Sequence, residues 1–257
     1  MPELPAATPQ AAWDRVRAVD PAAYAATRNH LSGAVTGLSP WLTHGVLGLA
    51  ELLQALQRDH ALPPRHRLVA ELGWRAFFRH VWQHEPDAIT RSRHAGPCPD
   101  AAYAQALPDD LREARTGLPV IDQAVRQLYR EGTLHNHARL WLASYTVHGR
   151  GVHWRCGAEW MYAHLLDGDL ASNHLSWQWV AGTGSHQPYL FNAENVRRHA
   201  PPAWWVDGSA LDTTYEALAE VAHGRAPWTA PVPTDRPGTP EPARHAAPPD
   251  GGFGPAE

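Results

Sequence analysis

The sequence predicts an all-α protein, with one helical domain at residues 1–225 and a disordered, proline-rich tail at residues 226–257. Helix-start and helix-stop signals follow one another along the chain, and no segment keeps the alternation of apolar and polar residues typical of a half-buried strand. The tail holds nine prolines in 32 residues and few large apolar side chains after Trp228. Burial therefore cannot offset the entropy lost in ordering it.

Helical periodicity begins near residue 9. Ser39 followed by Pro40 is typical of a helix cap with proline at the first helical position, and predicts a helix to about Arg58. A second long helix is predicted after Pro63-Pro64, because charged and apolar residues there recur on separate faces. Further helices are predicted over residues 119–131, 135–145, 157–166, 170–180 and 212–222.

The charged residues exclude several classes of enzyme. All 22 basic residues are arginine, so Schiff-base chemistry, a lysine general base and a Walker P-loop are excluded. The net charge of −4 argues against nucleic-acid binding by bulk positive charge. Any nucleic acid must therefore meet a local patch, for which the candidates are Arg28, Arg79, Arg197 and Arg198.

Cysteine usage and hydropathy bear on the compartment. Two cysteines, Cys98 and Cys156, are too few for a disulfide scaffold or a four-thiolate metal site, which favours a reducing cytoplasm. The first ten residues lack the features of a signal peptide, and no apolar run approaches membrane-spanning length. We therefore expect a cytoplasmic protein with no membrane partner.

Two blocks of polar residues are the strongest functional signals. In the first, Asp167-Gly168-Asp169 precedes a predicted helix on which Asn173 and Trp177 share a face. A simple alternative is that one aspartate caps this helix and the tryptophan is core. In the second, Asn136 and Arg139 lie three residues apart on one helical face, after a stretch at residues 115–122.

Together these blocks resemble the FAD-binding helical domain of the cryptochrome/photolyase family. The stretch from Tyr24 to Asn29 is similar to the family's Tyr-Ala-x-x-Arg-Asn, and residues 36–40 resemble its Thr-Ser-x-Leu-Ser-Pro. Residues 71–79 are similar to its Glu-Leu-x-Trp-Arg-Glu-Phe-Tyr-Arg. Six motifs follow in the family's order between Tyr24 and Asn192. The resemblance implies a single FAD domain without the family's N-terminal antenna domain.

The resemblance also implies which residues bind FAD. Asn173 would face flavin N5, where an amide can donate or accept a hydrogen bond as the redox state changes. Thr36 and Ser39 would contact the phosphates, although plain helix capping is the alternative for both. The implied cofactor-binding residues are Tyr24, Thr36, Ser39, Arg75, Asn136, Arg139, Asp167, Asp169 and Asn173.

The twelve tryptophans are an unusually large number for this length, and the resemblance gives four of them roles. Trp177 and Trp154 match the first two positions of the family's electron-transfer chain, and with Asn173 and Glu71 they form the implied catalytic set. The outermost position of that chain falls on Leu111, which cannot be oxidised. A broken relay and one rerouted through Trp160 or Tyr162 both remain open, and ordinary core packing is the alternative for the buried indoles.

The other two tryptophans match the walls of a pocket for flipped pyrimidines. Stacking on such walls can offset the cost of flipping a damaged base. The implied DNA contacts are Arg28, Glu71, Trp74, Asn136, Leu140 and Trp179. The histidines that (6-4) photolyases place at positions 136 and 140 are absent, which favours cyclobutane dimers. His137, however, replaces an arginine expected near DNA.

The expected function is therefore light-driven repair of cyclobutane pyrimidine dimers by an FAD-dependent lyase. Two alternatives stay open: a cryptochrome-like light or redox sensor that signals to a protein partner, and a helical interaction module without a cofactor. No metal site is expected, because His80 and His84 have no third ligand at zinc-like spacing and Pro86 interrupts the pattern.

Overall fold

The structure of the protein is a computed structural model that describes residues 6–229 and 237–245. The all-α prediction is confirmed: these residues contain twelve α-helices and no strand, and their only β pairing is one isolated bridge between Ala104 and Val152. The helices are α1 (Pro9–Arg17), α2 (Pro21–Thr27), α3 (Ser39–Thr43), α4 (Leu49–His60), α5 (Arg67–His84), α6 (Asp109–Arg112), α7 (Pro119–Glu131), α8 (Asn136–Ser144), α9 (Trp154–His164), α10 (Leu170–Ala181), α11 (Ala193–His199) and α12 (Tyr215–Ala222). A π-helical turn, Tyr145–Gly149, extends α8.

Helix α10 lies at the centre of the fold and packs against α5, α8 and α9. Its buried residues include Ala171, His174, Leu175, Trp177 and Gln178, which point in several directions around the helix. A helix with buried residues on most of its sides belongs in a core rather than at a surface. The N-terminus of α10 is therefore surrounded by other helices.

Helix α5 contributes to the smaller of two hydrophobic cores and to a further apolar cluster that it shares with α10. The larger core includes side chains of α7 to α10, with Trp141 and Trp154 among its largest buried residues. The smaller core includes side chains of α1, α3, α4 and the start of α5. Val81 of α5 packs with Ala171 and Leu175 of α10 in a third cluster, so α5 is held on both sides.

The predicted helix from Ser39 to Arg58 is wrong, because the structure divides it into α3 and α4. Gly45, at φ +72°, lies in the left-handed region between the two helices. Ser39 does not cap α3: the cap position is Leu38, which makes no side-chain hydrogen bond. Plain capping therefore does not explain Ser39.

Capping side chains account for most of the other differences in helix start. Helix α9 begins one turn before the predicted Gly157, because the His153 ring accepts a hydrogen bond from the Arg155 amide. Helix α12 begins at Tyr215 rather than Asp212, because the hydroxyl of Thr214 accepts from the Ala217 amide. The predicted end of α7 at Gly132 is confirmed, with that glycine at φ +63°.

Residues 237–245 of the proline-rich tail lie against the domain. Glu241 accepts a hydrogen bond from Nε of Arg112 at 2.8 Å, and its other oxygen lies 2.9 Å from Nε2 of the buried His164. Trp228 packs edge-on against Tyr145. The polar contacts provide the anchoring that the composition does not reveal. Residues 230–236 and 246–257 lie outside the described residues.

The closest helix contact in the larger core involves Gly157 of α9 and Trp177 of α10. A Cβ at position 157 would lie 2.4 Å from two atoms of the Trp177 ring. Gly157→Ala should therefore destabilise the protein by about 1 to 3 kcal/mol, because the buried ring has no room to move. Gly73→Ala is the matched control, because a Cβ at that position of α5 meets nothing within 4 Å.

The control substitution should stabilise the protein by about 0.5 to 1 kcal/mol, since alanine is the better helix former. Urea unfolding of the three proteins measures both effects. Equal stability of the two variants would contradict the packing described for Trp177.

Candidate cofactor site and nucleic-acid interface

The N-terminus of α10 is built around the carboxylate of Asp169. One oxygen caps the helix, accepting hydrogen bonds from the Ser172 amide at 2.9 Å and the Ser172 hydroxyl at 2.6 Å. The other oxygen accepts from Nε and Nη2 of Arg79 at 3.0 and 2.9 Å and from Nη2 of Arg75 at 3.2 Å. Asp169 therefore caps α10, as the simple alternative predicts, and also pairs with two guanidinium groups.

The charge state of Asp169 follows from these partners. Burial raises the pKa of its carboxyl, but the hydrogen bonds from Ser172 and the charge of Arg75, with help from Arg79, outweigh burial and lower it overall. Because the folded-state pKa lies below the ordinary value, the stabilisation is present above that ordinary value and is lost as the pH falls through the folded-state pKa. The carboxylate is thus ionised at neutral pH.

A second buried carboxylate, Asp167, pairs with a different helix. Nη2 of Arg139 on α8 lies 2.9 and 2.8 Å from its two oxygens, and Nε of Arg139 donates to the Leu134 carbonyl at 2.9 Å. The Asp167 carbonyl accepts from the hydroxyl of Thr43 at 3.1 Å, which itself accepts from Arg75 at 2.7 Å. The turn between α9 and α10 is thereby tied to α3, α5 and α8.

This network has one more positive group than negative. Three guanidinium groups, those of Arg75, Arg79 and Arg139, face the two carboxylates. Burial, together with the charges of Arg79 and Arg139, lowers the pKa of Arg75 although Asp169 opposes the change. Guanidinium groups in excess over their carboxylates suit an anionic ligand such as a diphosphate. The donor set therefore fits the phosphates of FAD.

Two of the predicted DNA-contact residues, Arg28 and Glu71, form an ion pair. Nη1 of Arg28 donates to the carboxylate of Glu71 at 2.6 Å. The Arg28 guanidinium also lies over the ring of Tyr24, 5.9 Å from its centroid. This ion pair joins the end of α2 to α5, because Glu71 lies on α5 about one helical turn before Trp74.

The predicted lesion walls are exposed aromatic residues. The side chain of Trp74 is 53% exposed and contacts Phe77 and Phe78, with ring centroids 5.7 and 5.6 Å away. Trp179, on the neighbouring α10, is 45% exposed and packs on Tyr189 at 5.5 Å. Large exposed indoles that no core requires are typical of a binding surface.

The remaining predicted contacts vary in exposure. Asn136 is exposed at the first position of α8, and Leu140 is half-buried one turn later. Thr36 and Ser39 are half-buried, and the hydroxyl of Thr36 accepts from the Leu38 amide at 3.4 Å. The geometry brings neither Thr36 nor Ser39 into the arginine network.

The predicted catalytic side chains are mostly buried. Nδ2 of Asn173 donates to the Ala158 carbonyl at 2.8 Å, which holds its amide against α9. Trp177 and Trp154 are each 2% exposed, and the indole of Trp154 donates to the Ser92 hydroxyl at 3.0 Å. Leu111 is fully buried, so position 111 offers no surface exit for a relay.

Sequence reasoning missed two members of the network. Arg79 was predicted to meet DNA phosphates but is bonded to Asp169, and Thr43 was not singled out. Position 79 lies four residues after Arg75 on the same helix face, which is the one local signal that could have found it. Nothing local identifies Thr43.

Two absences apply to the part of the chain that the structure describes. It holds no group of three or more His, Cys, Asp or Glu side chains placed to bind a metal ion. None of its helices combines the length and the hydropathy that a membrane crossing requires.

Comparison with known proteins identifies the architecture. The family model described as the FAD binding domain of DNA photolyase matches residues 68–203. The chain belongs to the cryptochrome/photolyase family. Its helical domain is an FAD-binding domain, and the matched residues include all of the arginine network except Thr43.

Individual relatives include both branches of this family. A deoxyribodipyrimidine photo-lyase from Streptomyces griseus is 39% identical over 194 residues, which cover 69% of this chain and 42% of that protein. Cryptochrome DASH from Oryza sativa subsp. japonica is 33% identical over 172 residues, covering 63% of this chain and 29% of that protein. A cryptochrome structure from Synechocystis sp. PCC6803 matches with a TM-score of 0.65 at 26% identity, covering 75% of this chain and 43% of that one. The chain spans less than half the length of these relatives.

The pairing of Arg139 with Asp167 is testable as an energetic unit. Arg139→Ala should destabilise the apoprotein by about 3 to 5 kcal/mol, because it leaves a buried carboxylate without its partner. Arg139→Ala combined with Asp167→Ala should be less destabilised than the sum of the single variants, with a coupling energy of about 1 to 3 kcal/mol by urea unfolding.

The exposed pair of Arg58 and Asp59 is the matched control, and its coupling should be close to zero. Additive effects at Arg139 and Asp167 would show that the pair does not hold the turn between α9 and α10.

Proposed function

We propose that the protein is an FAD-dependent, blue-light-driven lyase that repairs cyclobutane pyrimidine dimers in DNA, acting in the cytoplasm. The observation that carries the proposal is that the arginine-rich network and two exposed indoles lie on the same two helices. Arg75 and Trp74 are neighbours on α5, and Asp169 and Trp179 lie at opposite ends of α10. The family membership of the domain supports it.

The network would hold the cofactor without rearrangement. Arg75 and Arg139 would bind the diphosphate and the flavin edge, and Asp167 and Asp169 would keep both guanidinium groups in place. Tyr24, Thr36, Ser39 and Asn136 would complete the contacts, and the buried amide of Asn173 would face N5. When bound, FAD supplies the light absorption and the electron that opens the cyclobutane ring.

The exposed indoles would receive the flipped dimer. Flipping a damaged base costs a few kcal/mol, and stacking contributes about 1 to 3 kcal/mol per base. Glu71 and Asn136 would hydrogen-bond the base edges, while Leu140 would provide an apolar contact. Arg28, although paired with Glu71, lies at the rim of this surface, where it would meet a phosphate.

One observation favours the cryptochrome-like sensor instead. The four arginines expected to bind DNA phosphates are each paired with a carboxylate of the chain: Arg28 with Glu71, Arg79 with Asp169, Arg197 with Asp207 and Arg198 with Glu194. A phosphate must compete with these carboxylates, which lowers the affinity for DNA. A sensor has no need for that affinity.

Damaged DNA distinguishes the two functions. Trp74→Ala should weaken binding of a dimer-containing duplex by about 5- to 150-fold, the stacking energy of a base, and leave binding of undamaged duplex almost unchanged. Trp82→Ala is the matched control, because Trp82 is 41% exposed on the same helix two turns further on. Fluorescence anisotropy with labelled duplexes measures both affinities, and equal binding of damaged and undamaged duplex by the wild type would rule out the lesion pocket.

Photoreduction tests the electron-transfer role of Trp177. Trp177→Phe should abolish light-driven reduction of the oxidised cofactor, because phenylalanine keeps the apolar ring but is much harder to oxidise. Trp41→Phe is the matched control, a buried indole in the smaller core. Absorbance near 450 nm (roughly the flavin band) during illumination with a thiol measures the rate. If Trp177→Phe and wild type are reduced equally fast, Trp177 serves packing alone.

A further inference from the structure

Three histidine rings from separate segments meet beside the proposed DNA surface. His30 follows α2, His137 is in the first turn of α8 and His199 is the last residue of α11. The ring of His199 lies 5.2 Å from that of His30 and 4.8 Å from that of His137, centroid to centroid. The Leu31 amide donates to the His199 carbonyl at 2.8 Å, which ties the first segment to the third. These three residues are called the histidine cluster below.

The charged groups that act most strongly on His137 and His199 are positive. Burial lowers the pKa of His137 to about 4, and His199, His135, Arg28 and His30 all act in the same direction. The pKa of His199 is also lowered, by burial first and then by His30 and Arg198. The carboxylates on the adjoining helices are engaged elsewhere, Glu71 with Arg28 and Glu194 with Arg198.

The positive surroundings and an unpaired ring nitrogen both indicate that the histidine cluster is a site for an anion. Nδ1 of His199 is buried and has no hydrogen-bond partner among the described residues. The groups that act on His137 and His199 from the adjoining segments are arginines and imidazoles: Arg28 from the end of α2, His135 from α8 and Arg198 from α11. The described residues offer no placement for a metal ion, which leaves an anion as the ligand that the charges favour.

The histidine cluster lies next to the residues assigned to the lesion pocket. His137 directly follows Asn136, and His30 lies two residues after Arg28. Arg28 is bonded to Glu71, one helical turn before the exposed Trp74. The histidine cluster is therefore close, through Arg28 and Glu71, to the place where a DNA strand would pass if one of its bases reached Trp74.

We propose that the histidine cluster binds one phosphodiester group of the DNA backbone and takes up a proton as it does so. This inference rests on the proposed function, and it assigns to imidazoles a phosphate contact that the paired arginines supply poorly. The phosphodiester is negatively charged throughout the physiological pH range, whereas burial favours the neutral form of His137 and His199 in the protein without DNA.

The direction of the pH dependence follows from linkage. A bound phosphate favours the charged form of the imidazoles, so their pKa is higher in the complex than in the free protein. Affinity therefore rises as the pH falls through the pKa of the complex, and the gain is complete only below the pKa of the free protein. At higher pH the cluster contributes nothing.

The test is equilibrium binding of a labelled, undamaged DNA duplex to the full, FAD-loaded chain, measured by anisotropy between pH 8 and pH 5.5. The dissociation constant should fall by up to tenfold per pH unit, as expected for uptake of one proton. The dependence on salt should also be steeper at pH 5.5, by about 0.9 in the slope of log K against log salt concentration.

Substitutions separate the histidine cluster from other titrating groups. His137→Asn and, at an exposed position, His30→Asn should each flatten the pH dependence, and His137→Arg should give binding that is tight at pH 8 and independent of pH. His60→Asn, an exposed histidine at the end of α4, is the matched control and should bind as the wild type does.

The outcomes distinguish this inference from the proposed function. If the wild type binds the undamaged duplex with no pH dependence, or if the two asparagine variants keep the wild-type dependence, the inference is wrong and the lesion pocket stands. If the chain binds no DNA at any pH in this range, both proposals are wrong.

Discussion

Two buried carboxylates at the turn between α9 and α10 determine how the helices of this domain meet. A buried carboxylate is costly unless it is paired and hydrogen-bonded, and Asp167 and Asp169 are satisfied by guanidinium groups from two other helices. The requirement fixes the position of α5 and α8 relative to the start of α10. Because the network has an excess of one positive group, it also prepares the same place for the anionic part of FAD.

The parts of the fold that depend on local signals could be predicted from the sequence. Helix α7 runs from Pro119 to Glu131 as predicted, because proline at its start and a left-handed glycine after its end are local instructions. The separation of α3 from α4 was missed, although Gly45 and Gly48 interrupt the predicted helix. The contacts that residues 237–245 make with the domain, such as that of Glu241, have no compositional signal.

The site could be predicted only in outline. The convergence of Arg75, Arg139, Asp167 and Asp169 came from the family resemblance, and the structure brings these four side chains into one network. The partnership of Arg79 with Asp169 joins residues 90 positions apart in the chain, and neither neighbourhood marks it. Such long-range pairing is decided by the packing of α5 on α10, which no local pattern reports.

The charges explain why cofactor binding and DNA binding are separate questions for this chain. The arginines of the proposed cofactor network are held by buried carboxylates, whereas Arg28 and Arg198 at the proposed DNA surface are paired with partly exposed ones, which a phosphate can displace. The histidine cluster adds a contact that depends on pH instead of on displacement. We therefore propose that His137, where the family resemblance implies an arginine, changes how DNA is bound and leaves the cofactor network intact.

The most direct test of this account is turnover. The FAD-loaded protein, with its cofactor fully reduced, is mixed with an oligonucleotide that carries one cyclobutane thymine dimer, and intact thymines are quantified by chromatography after blue light or darkness. We predict light-dependent restoration of the thymines, with none in the dark. Unchanged dimers after illumination, with the cofactor still bound and reduced, would contradict repair as the function of this domain.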